Sequence, residues 1–190
     1  MIPYWDLLNH KFKSPINWLD VKYTKTAKIK MTIPVKINEN DQVFNNYGPK
    51  SSHELLLSYG FIDNNNLEVD FVPFKIGINL SNFDDEKFNQ LSKLNLLDET
   101  DNKKLKTFNL YFNKKINKSL IDMMTIIGKN VVEDDDLIDF VYDSLIDLLQ
   151  SKLNNIINNY NQIEDNSLIE DYLFNQIKIL KSNLKQLEEE

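Results

Sequence analysis

Alternating apolar and polar positions predict short strands in the first part of the chain. Residues 27–35 alternate in the manner of a half-buried strand, and residues 41–44 begin another extended segment. Residues 68–78 alternate again and predict a further strand. Pro73 favours an edge position for this last strand, because proline has no N–H to donate to a neighbour.

Between these strands the spacing of polar residues predicts one short helix. Ser51 and Glu54 have the S-x-x-E spacing of a capping box, and an apolar run follows them. Gly60 is placed to end this helix, since glycine adopts the left-handed conformation of a helix C-terminus at little cost. The polar stretch 63–66 then predicts a loop.

The second part of the chain has the three- and four-residue apolar spacing of amphipathic helices. The predicted helices cover residues 84–97, 117–127, 135–160 and 168–190. A stripe of this kind usually packs against a neighbouring helix of the same chain. The predicted fold class is therefore α+β, with a boundary near residue 80 that separates a mixed region, 1–80, from an all-α region, 81–190.

Composition excludes several classes of function. The chain has 190 residues, 42% of them apolar, and this is ordinary for a folded protein. It has no cysteine and only two histidines, so Cys-ligated and multi-His metal sites are excluded. It has no apolar run long enough for a membrane span and no signal-peptide pattern at its start. We therefore expect a cytoplasmic or nuclear protein with no metal and no membrane partner.

The balance of charge argues against nucleic-acid binding. The net charge is −7, and all 22 basic residues are lysine. The chain thus lacks the planar arginine fork that reads phosphates and guanine edges, and its acidity repels a phosphate backbone. A negative charge favours basic partners, although the abundance of Asn, Lys, Ile and Asp is equally typical of an A/T-rich genome.

Two segments carry the candidate chemistry. The first reads IPYWDLLNH and ends at His10; the second reads YGPKSSHELLLSYGF and runs from Tyr47 to Phe61. In order and spacing they resemble the second half of the SET domain of protein lysine methyltransferases of the Rubisco large-subunit methyltransferase type. Members of that group have P-x-x-D-x-x-N-H followed by a tyrosine and K-S-N-x-E-L-x-x-x-Y-G-F. Here Ser52 stands in place of the asparagine.

The resemblance implies roles for six residues. Asn9 and His10 would bind the adenosyl part of S-adenosylmethionine (SAM), and Phe61 would pack near its adenine. Tyr47 matches the tyrosine whose hydroxyl lies at the methyl-transfer centre. Asp6 and Tyr59 match residues that line the channel for the acceptor lysine. A further channel tyrosine of the family falls near Trp18 or Tyr23.

The resemblance also implies partners and an architecture. It predicts a SAM-dependent lysine N-methyltransferase whose substrate is a small basic protein, such as the ribosomal proteins or cytochrome c methylated by fungal relatives. Residues 81–190 resemble the helical substrate-binding domain of that group. The family's SET domain begins before its N-H motif, so we expect this chain to be a C-terminal fragment with little activity alone. The alternatives are a protein-histidine methyltransferase of the same group and a non-catalytic helical binding module.

Overall fold

The structure is a computed structural model that describes residues 6–16, 22–23, 29–30, 33–78, 84–97, 104–129, 131–164 and 167–189. It divides the chain into two compact units, Met1–Val69 and Asp70–Glu190. Mixed strands and helices confirm the predicted α+β class. The division lies before the boundary expected near residue 80, because the strand that begins at Phe71 pairs with a strand of the second unit.

In the part of the first unit that the structure describes there are two pairs of very short strands and one α-helix. Its elements are β1 (Asn9–His10), β2 (Lys22–Tyr23), β3 (Ile29–Lys30), β4 (Phe44–Asn45) and α1 (Ser52–Tyr59). Strand β1 pairs with β4 in parallel, and β2 pairs with β3 in antiparallel orientation. A single 3-10 turn, Asn66–Glu68, follows α1.

The strand predicted over residues 27–35 is confirmed at two positions and wrong at three of those that the structure describes. Ile29–Lys30 is in strand conformation and pairs with Lys22–Tyr23. Residues 33–35 are not in a strand, and Ile33 and Val35 are 38% and 50% exposed, so their alternation does not place them in a core. Residues 27, 28, 31 and 32 lie outside the described residues.

Helix α1 forms as its polar residues predict. The Ser51 Oγ accepts from the Glu54 N–H at 3.2 Å, and the Glu54 carboxylate accepts from the Ser51 N–H at 2.8 Å. Gly60 has a φ of 73° and donates its N–H to the Leu56 carbonyl. The capping box and the glycine terminus are therefore both confirmed, and Leu55 anchors the helix with a fully buried side chain.

Loss of this cap gives a first testable prediction. Ser51→Ala is expected to lower the free energy of unfolding of the first unit by about 1 kcal/mol, because it leaves helix N–H groups without their acceptor. Urea denaturation followed by tryptophan fluorescence measures this, since both tryptophans precede residue 69. The exposed Ser58, in the same helix, supplies the matched control Ser58→Ala. Equal effects of the two substitutions would show that the Ser51 side chain does not stabilise α1 as a cap.

In the described residues of the second unit, four helices pack with one two-stranded antiparallel sheet. Its elements are β5 (Phe71–Ile78), α2 (Asp85–Lys93), β6 (Lys104–Tyr111), α3 (Lys118–Gly128), α4 (Leu137–Tyr160) and α5 (Ser167–Glu188). The two strands are antiparallel, with Phe71 opposite Tyr111 and Ile78 opposite Lys104. All four predicted helices are present, but β6 was not predicted, so the region after residue 80 is not all-α.

The apolar stripes of the helices form the core of this unit. Helix α5 packs on α4 and on both strands, and α3 packs on α4. Fully or almost fully buried side chains come from every element, among them Val72, Leu91, Leu110, Leu120, Met123, Val141, Leu145, Leu149, Ile179 and Leu180. These contacts explain why the stripe of residues 168–190 needs no second copy of the chain to be covered.

Two buried amides of α5 bind one end of the β5–β6 sheet. Gln176 donates its side-chain N–H to the Phe71 carbonyl at 3.2 Å, and Asn183 donates to the Tyr111 carbonyl at 3.0 Å. Phe71 and Tyr111 are register partners in this sheet. The two bonds therefore fix one end of both strands on a single helix, at positions where a purely apolar α5 would leave carbonyls unsatisfied.

Candidate functional site

A short parallel pairing places the N-H motif in the first unit. Asn9 lies opposite Phe44 and His10 lies opposite Asn45, and the Lys11 N–H continues the pairing to the Asn45 carbonyl at 3.0 Å. Because successive side chains of a strand point to opposite faces, Asn9 is exposed while His10 is only 7% exposed. The motif therefore presents one buried imidazole and one accessible amide.

The buried imidazole of His10 has one satisfied and one unsatisfied nitrogen. Its Nδ1 accepts the backbone N–H of Tyr47 at 3.0 Å, which assigns the proton of the neutral ring to Nε2. The Nε2 atom is buried and has no hydrogen-bond partner among the described residues. A buried donor without a partner is costly, so this N–H is suited to an acceptor other than the described residues of the chain.

Burial keeps this imidazole neutral. Loss of hydration lowers the pKa of His10, and the nearby Lys50 lowers it further, while Asp63 opposes both effects. Proton NMR titration is therefore expected to give His10 a midpoint below the ordinary value of about 6.5. The first unit should lose stability as the pH falls below that value, because the unfolded chain then binds a proton that the folded chain resists. His10→Gln should flatten this dependence; a midpoint at or above 6.5 would contradict the assignment.

The hydroxyl hydrogen of Tyr47 is already used in a hydrogen bond. The Tyr47 hydroxyl donates to the Leu8 carbonyl at 2.6 Å. Burial raises the pKa of Tyr47, and the neighbouring Tyr59 raises it further, so the phenol is neutral. Toward any additional group the oxygen is therefore an acceptor with free lone pairs.

Four rings from three segments of the first unit form an aromatic cluster, which comprises His10, Tyr47, Tyr59 and Phe61. The centroid of Tyr47 lies 5.0 Å from His10 and 5.1 Å from Tyr59, and that of Phe61 lies 5.9 Å from His10 and 6.2 Å from Tyr59. These separations are those of contacting rings. The Lys50 ammonium lies 5.9 Å from the Tyr59 centroid, within the range of a cation–π contact.

Helix α1 and its termination place two of these rings. Tyr59 is the last residue of α1, and the left-handed turn at Gly60 brings the chain around to Phe61. Asp63 then accepts the Phe12 backbone N–H at 2.7 Å, and the buried Asn66 donates to the Lys50 carbonyl at 2.6 Å. The loop predicted at 63–66 is therefore tied to the segments on either side of the cluster.

The structure brings together four of the six residues predicted from the sequence. Asp6 and Asn9 are exposed. Trp18 and the side chain of Tyr23 lie outside the described residues, so the further channel tyrosine stays a prediction. Sequence analysis did not find Asp63, Asn66 and the Leu8 carbonyl. The acidic residue opening the 63–66 loop was the available signal for Asp63, while a backbone carbonyl has none.

The described residues contain neither a membrane-spanning helix nor a metal-ligand cluster. No helix in that part of the chain is both long and apolar enough to cross a membrane. No group of three histidine or acidic side chains is arranged there as metal ligands.

The fold has clear relatives among solved structures. The SET domain of LSMT bound to lysine and AdoHcy superposes with a TM-score of 0.61 and 16% identity over all of this chain and 49% of that chain. Rubisco LSMT bound to AdoMet gives a TM-score of 0.59 over 50% of its chain. The fold is that of the LSMT SET-domain structures. The resemblance found in the sequence is thus confirmed.

Curated relatives have the same chemistry in their names. The ribosomal lysine N-methyltransferase set10 of Schizosaccharomyces pombe is 37% identical over 78 residues, covering 41% of this chain and 14% of that protein. The actin-histidine N-methyltransferase of Drosophila melanogaster is 33% identical over 81 residues, covering 43% and 14%. The protein-lysine N-methyltransferase EFM1 of Saccharomyces cerevisiae is 36% identical over 66 residues, covering 35% and 11%. No protein-family model matches the chain.

The relatives are protein lysine or histidine N-methyltransferases, and they are much longer than this chain. The chain spans about half of the solved LSMT structures, and the 78 and 81 matched residues span 14% of the first two curated relatives.

Proposed function

We propose that this chain is the part of a SAM-dependent protein N-methyltransferase that carries one side of the methyl-transfer site. The observation that carries the proposal is the aromatic cluster, in which the unpaired Nε2–H of His10 and the hydroxyl of Tyr47 lie within one group of contacting rings. The LSMT-type fold and the named activities of the curated relatives support it.

The residues present fit SAM as the ligand. The buried N–H of His10 suits an acceptor nitrogen of a purine, and the ring of Phe61 offers an apolar face for stacking. Asn9 is exposed beside His10 and presents an amide that both donates and accepts. When bound, SAM supplies an electrophilic methyl group on a sulfonium. The chain's own residues then have to bind, align and desolvate the reacting groups.

We assign the orientation of the acceptor amine to Tyr47. Its hydroxyl hydrogen is held by the Leu8 carbonyl, so its oxygen accepts an N–H from the amine rather than donating to the lone pair. A lysine amine must be neutral to attack, and its ordinary pKa is about 10.4. Partial burial among aromatic rings disfavours the charged form. Tyr59, which contacts Tyr47, forms the next part of this lining, and Asp6 is proposed at its exposed rim.

The identity of the acceptor follows from chemistry and charge. We propose lysine, because a neutral phenol aligns a neutral amine without adding a full charge to the channel. The net charge of −7 favours a basic protein as the substrate, such as a ribosomal protein or cytochrome c. Histidine is the alternative acceptor, since one curated relative is an actin-histidine N-methyltransferase.

Transfer of tritium from methyl-labelled SAM tests the proposal. The chain spans about half of the LSMT structures, so the assay uses the complete gene product. We expect label in a basic protein, with mass spectrometry placing the methyl group on lysine. Label on histidine would identify histidine, the alternative acceptor, as the methylated residue in place of lysine. Absence of transfer to a whole-cell protein extract would overturn the enzymatic reading in favour of a non-catalytic binding module.

A further inference from the structure

A groove in the second unit has no part in the proposed chemistry. It is a cavity of about 730 Å³ between β5, α3 and α4, and we refer to it as the β5–α4 groove. Its residues on β5 run without a break from Pro73 to Gly77, and α4 contributes Leu148 and Lys152, among others. All of these residues belong to the second unit.

The charged residues that line the β5–α4 groove are positive, whereas the chain as a whole is negative. The chain has 29 acidic and 22 basic residues, yet the described residues that line the groove include Lys75 and Lys152 and no aspartate or glutamate. Neither lysine forms a salt bridge within the part of the chain that the structure describes. Burial lowers the pKa of Lys152, and repulsion from Lys75 lowers it further. Two neighbouring cations without a carboxylate are complementary to an anionic ligand.

The shape of the groove indicates a peptide rather than a small anion. It follows five consecutive residues of β5, which span roughly 16 Å of extended chain. Among the described residues, β5 pairs with β6 alone, along one of its two edges. An extended peptide can add a strand to an edge that is not paired. Pro73 is compatible with such an edge. A lone phosphate would fill only a small part of this space.

The remaining lining is apolar. Met124 and Ile127 of α3 contribute to it, and Leu148 of α4 is 43% exposed although it lies in a helix whose neighbouring stripe is fully buried. Side chains of an extended peptide alternate between two faces. A segment that alternates acidic and apolar residues can therefore offer carboxylates to the lysines and apolar groups to this surface.

We propose that the β5–α4 groove binds an extended acidic peptide segment with apolar residues between its carboxylates. The proposal does not depend on methyl transfer, since no residue of the aromatic cluster takes part. A second cavity, of about 460 Å³ between α2 and α3, also has lysines, but there Asp122 pairs with Lys118 at 2.7 Å. Its charge is partly compensated within the chain, and it is a weaker candidate.

Fluorescence anisotropy with the 190-residue chain tests this. The probe is a fluorescein-labelled peptide of about ten residues, with alternating glutamate and leucine, long enough to pass the whole groove. A second peptide has lysine in place of glutamate, and a third is polyglutamate. We expect the glutamate–leucine peptide to bind, the lysine peptide not to bind, and polyglutamate to bind at least about fivefold more weakly.

Substitutions localise the binding. Lys75→Glu and Lys152→Met should each weaken it by about fivefold or more, and Lys152→Met keeps the length and apolar character of a partly buried side chain. The double variant Lys75→Glu/Lys152→Glu should bind the lysine peptide instead. Lys181→Glu, an exposed change outside the groove, is the matched control and should have no effect. Circular dichroism checks that each variant is folded.

Three outcomes would overturn the proposal. The first is that the wild-type chain does not bind the glutamate–leucine peptide. The second is that Lys75→Glu and Lys152→Met bind it as tightly as Lys181→Glu does. The third is that inorganic phosphate at low millimolar concentration displaces the peptide completely, which would assign the lysines to a small anion.

Discussion

Tyr47→Phe is expected to lower kcat for methyl transfer by about 100-fold in the complete gene product, while the Kd for SAM changes by less than about twofold. The substitution removes one oxygen and keeps the ring that contacts His10 and Tyr59. That oxygen is fixed by its bond to the Leu8 carbonyl, so it is an acceptor in a defined position. The loss of a single preorganised polar contact to a transition state is typically of this size.

The control for this prediction is Tyr59→Phe. Tyr59 is 48% exposed and contacts Tyr47 through its ring, so removal of its hydroxyl should have the smaller effect on kcat. Steady-state kinetics with labelled SAM and calorimetric titration separate the two constants. Wild-type turnover by Tyr47→Phe, or an equal loss of turnover and of SAM affinity, would remove Tyr47 from the methyl-transfer centre.

Leu145→Ala is expected to cost the second unit about 3 kcal/mol of its free energy of unfolding. Leu145 is fully buried in the middle of α4, and truncation of such a side chain removes its apolar contacts and leaves a cavity. The unfolding of this largely helical unit is followed by far-ultraviolet circular dichroism in urea. Tryptophan fluorescence reports on the first unit in the same titration, because Trp5 and Trp18 are the two tryptophans of the chain.

Leu148→Ala supplies the matched control for Leu145→Ala. It makes the same chemical change in the same helix, but Leu148 is 43% exposed in the β5–α4 groove. We expect it to cost only about 1 kcal/mol, because 43% of its surface is already exposed to water in the folded chain. Equal costs for the two substitutions would contradict the assignment of Leu145 to the core.

The helices could be predicted because their capping residues and apolar stripes lie close together in the sequence. The capping box of Ser51 and Glu54 and the terminal Gly60 specify α1 within ten residues of sequence, and the structure has all three features. The apolar stripes of α3, α4 and α5 likewise gave helices whose bounds differ from the predicted ones by only a few residues. In each case the partner of a residue is three or four positions away.

Elements that depend on distant partners were harder to predict. Strand β6 was missed because its partner β5 precedes it by a whole helix, and nothing in residues 104–111 announces that pairing. The end of the strand expected over 27–35 failed for the opposite reason, since residues 33–35 alternate clearly but are not in a strand. No role was predicted for Gly128. In the structure a Cβ there would lie 2.8 Å from Leu137 and Phe140, so it permits the close approach of α3 and α4.

The candidate site shows the same division. The four rings of the aromatic cluster come from distant segments; the Tyr47 N–H and its acceptor His10, for example, are 37 positions apart. A resemblance in order and spacing nevertheless identified all four rings. It did not name the atoms that decide the chemistry. The unpaired Nε2 of His10 and the committed hydroxyl of Tyr47 follow from a strand pairing and from a backbone carbonyl, and neither is visible in a motif.

Calorimetric titration of the complete gene product with SAM is the most direct test of the proposed cofactor site, because SAM is proposed to bind at the aromatic cluster. We predict saturable binding that Phe61→Ala weakens by about tenfold or more, since stacking of a base on an aromatic ring is worth about 1–3 kcal/mol. Tyr47→Phe should leave this binding almost unchanged. Absence of SAM binding by the folded protein, or full affinity in Phe61→Ala, would contradict the account.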